Sequence, residues 1–278
     1  MRTVTPGEVR EALTGLGVGR GDVLMLHSDI TRIGLMAGAS SREAVLAGYF
    51  TALTEAVGPE GTIAALACTE SYARHGRPYV HETSPSEQGV LSEYIRTRPG
   101  AVRSVHPLFS VCAAGAQADA LCADTSASAF GYNSPFERML RLDAKIVCLG
   151  TDLHSMTFVH HVEQTYGVPY GYTKEWTAPA EKDGRPLPRR AVAFVRYLGC
   201  GVDYDFTRLQ DRLFALGLAR KAALGLGAIF LTRCRDVFAV GMRSLDEDLF
   251  FFLKSPPSRE PWKGAACPNL NASKEKTD

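Results

Sequence analysis

The 278-residue sequence predicts an α/β fold, a mixed central sheet flanked by helices. Three observations predict it. Residues 23–27, 61–68 and 145–149 are apolar runs without polar alternation, so each reads as a strand buried on both faces. Stretches with helical start and stop signals lie between them. The composition, 45% apolar and 22% charged, is that of a globular chain long enough to bury a substantial core.

The elements follow in order. Thr5 and Pro6 read as N-cap and first helical residue, with Val9, Leu13 and Leu16 on one face and a stop at Gly17. The strand at 23–27 ends in the polar turn His27-Ser28-Asp29, which leads to Gly34. Ser40 and Glu43 stand in capping-box spacing ahead of a helix that stops at Gly58-Pro59. After the strand at 61–68 comes a polar segment, 69–88, whose length without periodicity suggests a functional flap. A helix at 89–98, a strand at 111–115, short helices at 116–122 and from Ser134-Pro135 to about Leu142, and the strand at 145–149 complete the first part. Beyond Tyr170 the pattern predicts an antiparallel hairpin with 191–198 as its second strand, and a helix over 205–216. Short strands or a strand–helix alternation are expected over 224–241, with a final amphipathic helix at 245–254. Residues 1–260 are expected to form one domain of two intimately packed parts, roughly 1–170 and 171–260, with 261–278 as a flexible tail.

The net charge of +1 gives no bulk attraction to nucleic acid or to an anionic membrane. No apolar run approaches the roughly 20 residues a membrane span needs, and the N-terminus has no signal-like apolar core. The seven cysteines are scattered without a CxxC, which points to buried thiols of a reduced cytoplasmic protein. P-loop, strand-borne GxGxxG, HExxH and GxSxG motifs are absent, which removes the main supports for nucleotide, zinc-protease and serine-hydrolase readings.

What remains is a set of strand ends carrying His or Ser: His27-Ser28, Arg103-Ser104-Val105-His106-Pro107, and Thr157-Phe158-Val159-His160. His160 and Glu163, at i and i+3, share a helix face, and a carboxylate beside an imidazole fixes its tautomer and raises its basicity. His161 points about 100° away, so the two histidines are poorly placed to share a metal, and no metal is expected. Taken alone, the His160/Glu163 pair also fits an ordinary surface pair.

An ordered set of motifs weighs toward the first of these readings. It comprises residues 21–28 with Gly34, residues 57–62, residues 84–89, Pro99-Gly100 through Arg103-Ser104-Val105-His106-Pro107 with Ser110, Ala113 and Gly115, Ser134-Pro135, and Leu149-Gly150 leading into residues 157–163. In this order the sequence resembles the aminoglycoside 3-N-acetyltransferase (antibiotic N-acetyltransferase) family over nearly its whole length. The resemblance implies acetyl coenzyme A as co-substrate and direct transfer to an amine, with His160 as base and Glu163 as its partner. It implies a coenzyme site along Ser28, Thr31, Gly34, Arg103, Ser104, His106 and Ser110, with Arg103 free to meet a phosphate and a hydroxyl of Ser110 or Thr157 to meet a developing oxyanion. Glu70, Tyr72, Tyr166 and Tyr170 fall on the acceptor side. The segment after Glu163 is aromatic and nearly neutral, and residues 69–88 mix Glu70, Glu82 and Glu87 with Arg74, His75, Arg77 and His81, a balance unlike a cleft built for a polycation. The alternatives are a biosynthetic amine or hydroxyl as acceptor, a coenzyme-binding relative without turnover, and metal-dependent chemistry at His160 and His161.

Overall fold

The computed structural model describes residues 2–188 and 190–264. Its centre is a seven-stranded sheet. In spatial order the strands are Ala219–Leu224, Gly227–Arg233, Lys145–Leu149, Val23–Ser28, Thr62–Leu66, Val111–Gly115 and Val102–Arg103. Val23–Ser28 runs parallel to both its neighbours, Met25 opposite Ile146 on one side and Ala64 on the other. Every outer pairing is antiparallel. The sheet is thus mixed, as expected, and its three parallel strands deliver their C-terminal ends to one edge.

The apolar runs make this possible because alternate side chains leave on opposite faces. Leu24, Leu26, Ile63, Ala65 and Val147 pack against the helices Pro6–Gly15 and Arg42–Val57, meeting Val9, Leu13, Tyr49 and Leu53. Met25, Ala64, Ile146 and Cys148 pack on the other face against Phe136, Met139, Phe158, Val162 and Val237. The first helix opens with a full capping box: Glu8 N–H donates to Thr5 Oγ1 at 3.1 Å, and Thr5 N–H donates to Glu8 Oε2 at 2.6 Å.

Several elements differ from the sequence reading. The cap of Arg42–Val57 is Ser41, one residue later than expected, its hydroxyl accepting from Ala44 N–H. The 69–88 segment holds a helix, Glu70–His75, and a two-residue strand, Tyr79–Val80, whose partner is Ala180–Lys182. The hairpin is split: Val192–Arg196 pairs with Gly171–Glu175, while Ala180–Lys182 turns back on Arg185–Pro186. The expected helix at 245–254 is a correction. The helix is Cys234–Glu247, and Phe251, Phe252 and Leu253 follow in a turn, all buried. Consecutive large apolar side chains cannot all face one side of a helix, so a turn buries them. Within the expected tail, Pro261–Lys263 form a 3₁₀ turn whose Trp262 packs on Tyr197 and Phe250; the rest of that segment, 265–278, lies outside the described residues. No helix among the described residues is long and apolar enough to cross a membrane.

Candidate active site

The three parallel strand ends meet through close backbone contact. Asp29 N–H donates to Leu149 O at 2.8 Å, and a Cβ on Gly150 would come within 2.1 Å of Asp29 O, so the φ of +75° and the absence of a side chain are both required. Ligand sites of open α/β sheets lie at such carboxyl edges, where connections leave in opposite directions. Here the edge carries Ser28, Asp29, Thr151 and Ser155, and Thr157 leads into the helix Val159–Tyr166.

That helix orients the expected pair. His160 Nδ1 lies 2.6 Å from Glu163 Oε2. The carboxylate accepts, so Nδ1 carries the proton and the Nε2 lone pair is left over. The His160 side chain is 22% exposed and that of Glu163 0%, so the imidazole faces the solvent side and the carboxylate stands behind it. Phe130 and Tyr204 flank the His160 ring at 5.3 and 5.1 Å between centroids, and Phe206 lies edge-on at 6.4 Å. Tyr170 O–H donates to Glu163 Oε1 at 2.9 Å. Burial and the adjacent carboxylate push the Tyr170 phenol far above its ordinary range, so it remains a donor. His161 turns away, donating from Nδ1 to Phe130 O at 2.6 Å. Among the described residues no group of three or more His, Cys, Asp or Glu is arranged to hold a metal ion.

Two cavities converge at Thr157. One, about 370 Å³, is lined by His27, Ser28, Asp29, Gln88, Thr151 and Ser155; the other, about 320 Å³, by Cys68, Glu70, Arg74, Leu108 and Phe109. Leu66, Gln88 and Thr157 line both. Ser28 lines the first of these cavities and Glu70 the second. Glu70 is already engaged, accepting from Gln88 Nε2 at 2.8 Å and pairing with Arg74 at 2.6 Å. Thr31 and Gly34 line a separate groove of about 650 Å³ with Leu35, Ser41 and Arg42. Gly34 is required by the fold rather than by a ligand: at φ +137°, a Cβ there would lie 2.4 Å from Arg2 O.

The 103–110 loop departs from expectation. Arg103 is 8% exposed, and its donors are spent inside the protein. Nε reaches Ser110 Oγ, one terminal nitrogen reaches His81 O and Ser84 O, and the other reaches Ala67 O and Thr69 Oγ1. Five N–H groups meet five acceptors, which leaves none for a phosphate. Ser110 Oγ donates to Ala67 O at 2.7 Å, Ser104 Oγ accepts from Val111 N–H at 2.9 Å, and both side chains are fully buried, so neither hydroxyl is exposed. His106 Nδ1 accepts from the Leu108 and Phe109 N–H groups, and Nε2 donates to Val192 O at 3.2 Å. Burial lowers the His106 pKa to about 4. This imidazole ties the loop to the 192–196 strand.

Two further acceptor-side expectations change. Tyr72 is buried and donates to Ala178 O, and Tyr166 donates to Leu245 O, so both hydroxyls serve packing. Tyr170 is also buried, but its hydroxyl meets Glu163. The sequence reading missed Gln88 at the junction of the cavities and Tyr204 against the His160 ring. Tyr204 carries no signal in the sequence because its neighbour in space lies far away in the chain.

The family model described as aminoglycoside 3-N-acetyltransferase matches residues 25–246. The chain is 30% identical over 275 residues to aminoglycoside N(3)-acetyltransferase VII of Streptomyces paromomycinus, covering 88% of this chain and 93% of that protein. Among solved structures it is similar to a histidine-to-alanine mutant of aminoglycoside acetyltransferase AAC(3)-IVa in complex with a gentamicin, with a TM-score of 0.76, 26% identity and 96% of each chain covered. AAC-IIIb, solved as a binary complex with CoASH, shares the fold at a TM-score of 0.76 and 24% identity, over 92% of this chain and 100% of that one. The fold and the family match together place the chain among α/β acyltransferases. Within that class it belongs to the aminoglycoside 3-N-acetyltransferase family.

Proposed function

We propose that the protein transfers an acetyl group from acetyl coenzyme A to an amine of an aminoglycoside or related amino sugar, directly and with His160 as general base. The observation that carries this reading is the 2.6 Å contact of His160 Nδ1 with the buried Glu163, which leaves Nε2 as the accepting atom. An amine that is protonated near neutrality is no nucleophile, so a positioned base is the first requirement of the reaction. Glu163 supplies the charge that favours the imidazolium once His160 has taken the proton.

Acetyl coenzyme A would supply the activated thioester when bound, and coenzyme A would leave as the thiol. The small side chains of Ser28, Thr151 and Ser155 in the 370 Å³ cavity fit its slender arm, and Thr31 and Gly34 lie on the separate 650 Å³ groove. Thr157, on both smaller cavities, stands where donor and acceptor sides meet, and its hydroxyl suits the carbonyl oxygen that gains charge during transfer. With Ser110 committed to Ala67 O, Thr157 is the better of the two hydroxyls. The six described cysteines are all buried, as expected of thiols in a reducing, cytoplasmic setting.

A second acceptor class has its own observation. Glu70 is paired with Arg74, and Asp29 with Arg32 at 3.1 Å, so the acidic side chains lining the two cavities bring little net charge toward a polycation. That favours an acceptor with fewer amines. Thiol release from acetyl coenzyme A over a panel of aminoglycosides, amino sugars and simple amines tests both. Acceptor-dependent release with aminoglycosides supports the first, and release confined to monoamines supports the second. Thermal stabilisation by coenzyme A without release from any acceptor contradicts a transferase.

A further inference from the structure

Glu163 is completely buried, and among the described residues His160 is its sole ion-pair partner. A carboxylate in that position must have both oxygens satisfied, or it turns away from the group it serves. Oε2 faces His160 Nδ1 at 2.6 Å, and Oε1 accepts from Tyr170 O–H at 2.9 Å. We infer that Tyr170 is a positioning residue of the proton-accepting pair, its phenol holding Glu163 so that Oε2 stays on His160. This rests on the reading of His160 as the base.

The local backbone brings Tyr170 there. Gly167, left-handed at φ +82°, closes the Val159–Tyr166 helix, and the N–H groups of Gly167 and Val168 both donate to Glu163 O. The chain therefore folds back over the residue whose side chain Tyr170 meets. Tyr170 is fixed from two further sides, its carbonyl accepting from Tyr197 N–H at 3.2 Å and its ring lying 6.2 Å from that of Phe250. Tyr204 flanks the His160 ring at 5.1 Å between centroids, and its phenol is pushed well up by burial and then by the charge of Glu163.

The type of donor matters as much as its place. A guanidinium on Oε1 would orient Glu163 equally well but would cancel the negative charge that the imidazolium needs. A phenol gives one hydrogen bond and no positive charge.

The test is a double-mutant cycle of Tyr170→Phe and Glu163→Gln, read as kcat, both KM values and thermal midpoint. Tyr170→Phe preserves shape, so folding should be retained. On the wild-type background it should lower kcat about tenfold, the scale of a hydrogen bond to a charged group, with both KM values within about twofold. On the Glu163→Gln background it should cost nothing further, because both changes remove the same arrangement. An unchanged kcat for Tyr170→Phe, or the same factor lost on both backgrounds, overturns the inference. His160→Ala, run alongside, separates the two levels. If it abolishes turnover while Tyr170→Phe equals wild type, only the positioning role falls; if it keeps near-wild-type turnover, the base assignment falls and takes the positioning role with it.

Discussion

The Arg103–Ser110 loop and the helix that carries His160 look alike in sequence, each a strand neighbour rich in His, Ser or charged groups. In the fold they are opposites. Every donor of Arg103, the Ser110 hydroxyl and both nitrogens of His106 are taken up by backbone or neighbouring side chains, and the buried Ser104 hydroxyl accepts from Val111 N–H. His160 spends one nitrogen on Glu163 and keeps the other. A polar motif frames a site when its hydrogen-bonding capacity is exhausted, and acts in it when some capacity is left over. The loop's contribution is a rigid wall: it anchors Ala67 and Thr69, the chain that leads from the Thr62–Leu66 strand to Glu70.

Four changes sharpen or break this contrast. The largest should come from Arg103→Met, which strands several buried carbonyls and should cost about 3–5 kcal/mol in urea unfolding; a loss near zero would mean the loop is not held by this side chain. Next is Glu163→Gln, expected to lower kcat between about tenfold and a hundredfold, less than removing the base itself, by steady-state thiol release. A wild-type rate would remove Glu163 from the mechanism.

The third is a pH effect. Burial lowers His27, His81 and His106 each to about 4 in the folded chain, against about 6.5 when unfolded. Between those values the unfolded chain binds more protons, so stability is complete above about pH 6.5 and declines as pH falls toward 4. Urea midpoints across that range should drop, and His106→Gln should flatten the slope by about one proton. The smallest effect belongs to Tyr166→Phe, which removes the bond to Leu245 O and should lower the urea midpoint only slightly with acceptor KM unchanged. A raised acceptor KM would return Tyr166 to the cleft.

Much of the frame is legible in the sequence because it rests on local chemistry. The apolar runs at 23–26 and 146–149 read as buried strands, and Thr5-Pro6 reads as a helix start, and each is one. His160 and Glu163 are legible because i,i+3 spacing on a helix fixes their meeting. What cannot be read is non-local. Tyr79–Val80 is a strand only because Ala180–Lys182 lies beside it, and Tyr204 flanks His160 only because its backbone bridges to Leu253. Arg103 misleads for the same reason: its acceptors lie on residues 67–84 and on Ser110, and sequence shows a charge without showing who has already claimed it.

The central claim is that His160 is the base and that the wall around it is independent of it. The most direct test is acceptor-dependent thiol release by His160→Ala, with coenzyme binding and the urea midpoint measured on the same protein. A rate at least about a hundredfold below wild type, with coenzyme binding and stability unchanged, is the predicted result. Near-wild-type turnover in a folded, coenzyme-binding variant would contradict it.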